Sequence, residues 1–165
     1  RGAKIYGEIL GYSSANEAFI FGTQTDSETM AEAFRIALKK ANLDPKDIDY
    51  INAHGNAIQD YDLAETEAIK KTFNESAYQI PVTSIKPITG QSLSPTGIFQ
   101  LITSLLVIKK GIIPPTLNHQ TPAPNCDLNY VPNRYIKKNV NFAMMNAHGF
   151  GGIHTVLIIG KLQKT

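Results

Sequence analysis

The run Val82-Thr83-Ser84-Ile85-Lys86-Pro87-Ile88-Thr89-Gly90-Gln91-Ser92-Leu93-Ser94-Pro95-Thr96-Gly97, continued by Ile98-Phe99-Gln100-Leu101-Ile102-Thr103-Ser104-Leu105-Leu106-Val107-Ile108-Lys109-Lys110-Gly111, decides the fold. A short apolar strand, 82–85, enters a polar turn that carries one lysine, and a long helix leaves it. Ser94 is expected to cap that helix and Pro95 to occupy its first position, where a missing N–H costs nothing. Lys109 and Lys110 suit the negative end of the helix dipole, and Gly111 permits a left-handed exit. Between these ends Ile98, Phe99, Leu101, Ile102, Leu105, Leu106, Val107 and Ile108 point in nearly every direction, and a helix apolar all round is buried all round or lies in a membrane. Gln100, Thr103 and Ser104 interrupt the run, which falls short of the ~20 apolar residues that span a bilayer. The expectation is a central helix sandwiched between layers.

Outward from this helix, the other segments alternate. Lys4 to Tyr12 reads as a strand rich in β-formers. Thr25-Asp26-Ser27-Glu28 has the form of a capping box, opening a helix with Met30, Ala33, Phe34, Ala37, Leu38 and Ala41 on one stripe. Asn42-Leu43-Asp44-Pro45 ends that helix. Ile48 to Ala53 is a short strand that delivers His54-Gly55-Asn56 to its C-terminal end, and a helix from about Asp62 to Phe73 follows. Residues 113–132, rich in Pro and Asn, must be mostly irregular. Two strands, 141–146 and 153–159, close the chain around the turn His148-Gly149-Phe150-Gly151-Gly152. Strand–helix alternation with a terminal antiparallel pair argues an α/β fold with a mixed sheet.

The bulk properties exclude several classes. With 165 residues, 42% apolar and 18% charged, the chain is globular and of one domain or part of a larger one. A net charge of +2 with scattered lysines carries no nucleic-acid footprint. A single cysteine, Cys126, allows no intrachain disulfide and no cysteine-based metal site. Neither a signal peptide nor a membrane span is evident, so a cytoplasmic location is expected, and the start at Arg1 suggests a cut or processing.

Three strand ends therefore carry groups capable of chemistry: His54, Lys86 and the 149–152 turn. In open α/β sheets ligands gather outside the carboxyl ends of strands. Taken singly, each has a plain structural explanation: a histidine after a strand is commonly hydrogen-bonded scaffold, a lysine in a turn is commonly solvated, and a Gly-rich turn is commonly only a turn.

Together the segments Asp47-Ile48-Asp49-Tyr50-Ile51-Asn52-Ala53-His54-Gly55, Ser84-Ile85-Lys86-Pro87-Ile88-Thr89-Gly90, Gly111-Ile112-Ile113-Pro114-Pro115-Thr116, Cys126-Asp127-Leu128-Asn129-Tyr130-Val131-Pro132-Asn133 and Gly149-Phe150-Gly151-Gly152 resemble, in order and spacing, the C-terminal half of a β-ketoacyl-acyl-carrier-protein synthase. The resemblance covers essentially residues 1–165. It implies a thiolase-like fold, in which two similar α/β halves, each with a five-stranded mixed sheet, pack as α/β/α/β/α layers. The N-terminal half would be absent from this chain. Family chemistry uses a cysteine nucleophile at a helix N-terminus and two histidines that stabilise the developing enolate and oxyanion. By position His54 matches the first histidine, Lys86 the structural lysine with Glu65 as its ion-pair partner (Asp62 lies nearby), and Phe150 the gating phenylalanine, flanked by Gly149 and Gly151.

Departures gather where the chemistry should be. The second histidine becomes Gln91, whose amide donates a hydrogen bond but cannot shuttle a proton. His-Gly-Thr becomes His54-Gly55-Asn56, the next two positions are Ala57 and Ile58, Gly-Ala-Ala-Gly becomes Ser94-Pro95-Thr96-Gly97, and an aromatic before the Gly-Phe-Gly-Gly turn becomes His148. The nucleophile belongs to the missing half, and Cys126 matches a position where the family often has an ordinary cysteine. Loss of one catalytic histidine on a retained scaffold is similar to the chain-length-factor subunit of a type II polyketide synthase, which pairs with an active ketosynthase and shapes the polyketide tunnel. On that reading Gln91, His54 and Phe150 fill a disused pocket. Two alternatives stand beside it: an active or decarboxylating ketosynthase that uses Gln91 through hydrogen bonding alone, and a structural acyl-carrier-protein docking scaffold.

The resemblance implies no cofactor or metal, phosphopantetheine arriving on the acyl-carrier protein. Its partners would be the N-terminal half, a ketosynthase subunit and the acyl-carrier protein, with neither nucleic acid nor membrane. An all-apolar helix in an isolated half would face water on one side, and at roughly 25 cal/mol per Å² that exposure demands a companion.

Overall fold

The computed structural model describes residues 2–17 and 26–162. Its centre is a five-stranded mixed sheet of β1 (Glu8–Asn16), β2 (Tyr50–Asn52), β3 (Val82–Thr83), β6 (Phe142–Gly149) and β7 (Ile153–Gly160), in the order β1-β7-β6-β2-β3. β7 runs antiparallel to both β1 and β6, whereas β6, β2 and β3 are parallel. The parallel part places the C-terminal ends of β2, β3 and β6 side by side, which is what brings the candidate site together. A small antiparallel pair, β4 (Ile112–Ile113) with β5 (Ile136–Lys137), brackets the irregular Pro/Asn-rich segment.

Strand alternation sends side chains to two cores. Ile51, Met144 and Ile158 face α1 (Ser27–Ala41) and α2 (Gln59–Phe73), where they meet Met30, Phe34 and Ile69. Tyr50, Ala143, Met145 and Ile159 face Val107 and Ile108 of α4 (Thr96–Lys110) on the other side. The stripe expected on α1 is the face that is buried, and the helix ends at Asn42 in a left-handed conformation (φ 54°). Its cap is Asp26, whose carboxylate accepts the N–H groups of Glu28 and Thr29 at 3.0 Å. Thr25, the expected head of the capping box, lies outside the described residues.

Several boundaries differ from expectation. The first strand lies four residues further on, because its ladder runs from Glu8 opposite Gly160 to Asn16 opposite Ile153 and partner length overrides the weak β preference of Ser13, Ser14 and Asn16. α2 begins three residues early, with Asp60 and Asp62 both in its dipole-favoured first turn. Residues Lys86–Thr89, expected as turn, form a single helical turn, α3. α4 starts at Thr96, with Pro95 in the cap position and no side-chain cap, so Ser94 does not cap it. Gly111 takes the expected left-handed exit (φ 64°). β6 continues to Gly149, so His148 belongs to a strand rather than to the turn.

The central helix has the open side expected of a half on its own. Within this chain α4 is covered on one side only: Ile98, Phe99, Ile102 and Leu106 are 40–58% exposed, while Gln100 and Ser104 are fully buried. Two of the three polar residues thought merely to interrupt the apolar run, Gln100 and Ser104, face inward. The Gln100 amide nitrogen lies 3.0–3.1 Å from the carbonyls of Asn52, Ala53 and Asn146, and Asn52 donates to the Ser104 hydroxyl at 3.2 Å. These bonds pin the helix across the ends of β2 and β6. An α/β arrangement with a mixed sheet and helices on both faces is what the expected thiolase-like half requires.

Candidate functional site

His54 leaves the end of β2, Lys86 opens α3 after β3, and His148 sits near the end of β6, so the sheet topology alone converges them. Glu65 reaches the same point from α2. All four are at least nine-tenths buried. One Glu65 oxygen accepts the N–H of His54 at 2.7 Å and the other accepts that of Gly55 at 2.9 Å. A carboxylate holding two consecutive backbone N–H groups fixes the local path of the chain, and therefore the direction in which the His54 ring projects.

The protonation of His54 follows from its neighbours. The backbone N–H of His148 donates to Nδ1 of His54 at 3.1 Å, so Nδ1 is an acceptor and the proton resides on Nε2. Burial pushes the imidazole down to about 3, the nearby Glu65 charge only partly opposing it. His54 is thus a neutral Nε2–H donor. Burial works against charge on Glu65 as well, but the N–H groups around it, those of His54 and Gly55 among them, hold its carboxyl at about 2. The Lys86 ammonium, lowered by burial, donates to the carbonyl of His54 and lies 3.4 Å from its Nδ1.

Three residues that sequence reasoning passed over extend this group. Asn146 donates to Glu65 and lies 3.2 Å from Nε2 of His148. Nδ1 of His148 meets Nδ1 of His154 at 2.8 Å, and Nε2 of His154 meets a carboxylate oxygen of Glu17. His154 lies on the inward phase of β7, with Val156 and Ile158. A histidine in that phase of an otherwise apolar strand was the available signal.

The other expected site residues lie elsewhere. Lys86 and Glu65 make no salt bridge within 4 Å: both address His54, one through its carbonyl and the other through its N–H, so the expected ion pair is replaced by two hydrogen bonds to one residue. Gln91 is exposed, and Phe150 is 78% exposed at the tip of the turn, so neither fills a pocket within this chain. Gly149 ends β6 and Gly151 (φ 79°) follows Phe150 in the turn. Gly152 (φ 71°) is required, since a Cβ there would come within 2.7 Å of the Cβ of Glu17.

A cavity of about 520 Å³ opens beside the group, lined by Gly55, Ala57, Asp62, Thr66, Cys126 and Tyr130 among others. Burial and then the charge of Glu65 raise the Asp62 carboxyl to about 6. Cys126 is buried against the Thr66 hydroxyl and lies at no helix N-terminus, unlike an activated nucleophile. Among the described residues no cluster of three or more His, Cys, Asp or Glu is arranged to hold a metal, and no helix is long and apolar enough to cross a membrane.

Residues 6–120 match the family described as beta-ketoacyl synthase, C-terminal domain. The tetracenomycin polyketide synthase ketoacyl synthase alpha subunit of Streptomyces glaucescens is 39% identical over 166 residues, spanning 100% of this chain and 39% of that protein. The 3-oxoacyl-acyl-carrier-protein synthase 2 of Staphylococcus aureus is 41% identical, spanning 99% of this chain and 40% of that protein. A solved complex of a type II polyketide synthase acyl-carrier protein with its ketosynthase bound to the hexaketide superposes with a TM-score of 0.94 at 38% identity, over 98% of this chain and 40% of that one. The ishigamide ketosynthase/chain length factor superposes with a TM-score of 0.92 at 32% identity, over 98% and 40% of the respective chains. The chain spans about two-fifths of the length of these relatives. With its mixed sheet, its convergent strand ends and this match across most of its length, the chain belongs to the β-ketoacyl synthase family and carries that family's C-terminal domain.

Proposed function

We propose that the chain is the C-terminal part of a chain-length-factor-type subunit, which pairs with an active ketosynthase in decarboxylative condensation of malonyl units carried on an acyl-carrier protein. The observation that carries this reading is Gln91: where the family places its second imidazole, this chain has an exposed carboxamide. An amide neither takes up nor releases a proton near neutral pH. What remains is one imidazole, whose Nε2–H at His54 is able to hold an oxygen that gains negative charge. The apolar outer face of α4 supports a companion N-terminal half as its cover.

A second reading, an active β-ketoacyl synthase, is favoured by the 41% identity to a 3-oxoacyl-acyl-carrier-protein synthase and by the ordered His54–Glu65–Lys86 group. One experiment separates the two. The complete protein is assayed for condensation of malonyl-acyl-carrier protein, alone and with its partner ketosynthase. The first reading requires turnover only with the partner; turnover by the protein alone establishes the second. Installing the imidazole, Gln91→His, is expected to leave the paired activity within about threefold, because Gln91 has no proton-transfer role to lose.

A further inference from the structure

With both imidazoles neutral and both glutamates ionised, the polar contacts running from Glu65 to Glu17 close as a donor–acceptor chain in one way. Asn146 has two N–H groups on Nδ2, and it donates one to Glu65 and one to Nε2 of His148. Turning the amide over would set its oxygen against the Glu65 carboxylate. Nε2 of His148 is therefore an acceptor, and Nδ1 carries the proton. That Nδ1–H donates 2.8 Å to Nδ1 of His154, which in turn must donate through Nε2 to Glu17. Every contact is satisfied with both imidazoles neutral, and the direction reads Asn146 to His148 to His154 to Glu17. Both histidines are buried, with rings packed edge to face at 4.8 Å.

The chain has room for one more proton. Its acceptor is Nε2 of His148, which lies 3.6 Å from a Glu65 oxygen. A proton from water placed there forms an N–H bond on that lone pair and makes His148 a cation facing Glu65. Nε2 can then no longer accept from Asn146 and its N–H addresses the Glu65 oxygen instead. Glu65 gains a charge-assisted bond from His148, and it is Glu65 that holds the N–H groups of His54 and Gly55.

We propose that Glu17, His154 and His148 are positioning residues for His54, holding Glu65 under the His54–Gly55 backbone in one geometry while both imidazoles are neutral and in another after the pair takes up one proton. This rests on the reading of His54 as the residue that polarises a ligand. The charged and titratable groups facing the pair are Glu17 at the end of β1, Asp26 at the cap of α1, Glu65 on α2 and His54 after β2, with Asp62 and Lys86 acting on Glu65 from behind. Glu17 also ties the pair to the Phe150 turn, since its own N–H donates to the Gly152 carbonyl at 2.9 Å and its carboxylate accepts the N–H of Asp26 at 2.7 Å.

The test is the imidazole nitrogen spectrum of the complete protein in its complex, with ¹⁵N-labelled histidine, followed by pH. The expected result at the alkaline end is an Nδ1 proton on His148 and an Nε2 proton on both His154 and His54. On acidification the His148–His154 pair takes up a single proton, and the His54 nitrogens shift in the same step without titrating. In His148→Phe, which keeps the ring and the backbone N–H, and independently in His154→Asn, that step disappears and the His54 signals stay fixed. Opposite tautomers, a charged imidazole at the alkaline end, or His54 signals unmoved through the step would overturn the proposal. The readout needs no turnover, so it fails or stands apart from the condensation assay.

Discussion

The N–H of His148 and the Nδ1 of His54 meet at 3.1 Å, joining the end of β6 to the end of β2 by a bond that decides which nitrogen of His54 keeps its proton. Because the donor is main chain, the tautomer is a property of the fold rather than of any one side chain.

The depressed imidazole gives stability a pH dependence of definite sign. Unfolded, His54 titrates near its ordinary 6.5; folded, it stays neutral down to about 3. Between those values the unfolded chain takes up a proton that the fold refuses. Stability is therefore full above about pH 6.5 and falls as pH drops toward 3, at most about 1.4 kcal/mol per pH unit. Glu65, held at about 2 against 4.5, adds to the loss below pH 4.5. Denaturant unfolding of the assembled protein at stepped pH checks this, and His54→Phe should flatten the upper part of the curve.

Asp62 has the opposite sign. Its carboxyl is raised to about 6 from 3.8, so its charge costs stability as pH rises through that window. Asp62→Asn is expected to stabilise by about 1 kcal/mol at pH 7.5, less than the full shift because the side chain is partly solvated. The gain should vanish near pH 4. A gain that persists there would show that the effect is not electrostatic.

Glu65→Ala removes the acceptor for two backbone N–H groups at once and leaves both buried. The expected loss is about 3 kcal/mol, with Glu65→Gln costing about half because one oxygen remains to accept. Thermal and chemical unfolding of the two variants side by side gives the comparison.

Gln100→Leu keeps the bulk of the side chain but strips the donor from three carbonyls. It should cost about 2–3 kcal/mol and loosen α4 against the sheet. Hydrogen exchange at the ends of β2 and β6 is expected to rise, while α1 remains protected.

The outer face of α4 predicts behaviour in solution. The chain by itself is expected to self-associate, and Phe99→Ser with Ile102→Ser should shift it toward monomer on size-exclusion chromatography while abolishing recovery of a complex with the proposed N-terminal half. A wild-type chain that runs as a dispersed monomer would count against that face being a buried contact.

How far these features were legible in the sequence depended on range. Stripes and strand periods were local, so α1, α2 and the mixed sheet could be read from spacing, as could the left-handed exit at Gly111. Ladder ends were not local: β1 took its span from β7, and Ser13 and Asn16 carry no sign of it. At the site, His54, Lys86 and Glu65 were visible because each sits beside a strand end or a recognisable motif. The Glu65–Lys86 ion pair was misjudged because sequence shows opposite charges but not that His54 stands between them. Asn146, His154 and Glu17 stayed hidden, since their roles exist only once β1, β6 and β7 lie together. The polarity of α4 was misread for a related reason: hydropathy counts apolar residues but does not reveal that carbonyls await a donor beneath the helix.

That last contact has a mechanical consequence. With Gln100 keyed into three carbonyls, α4 cannot roll about its axis to tuck Ile98, Phe99 and Ile102 against its own sheet. The sheet is thereby kept from healing over its open side, and the greasy seam of α4 stays turned outward in a fixed register.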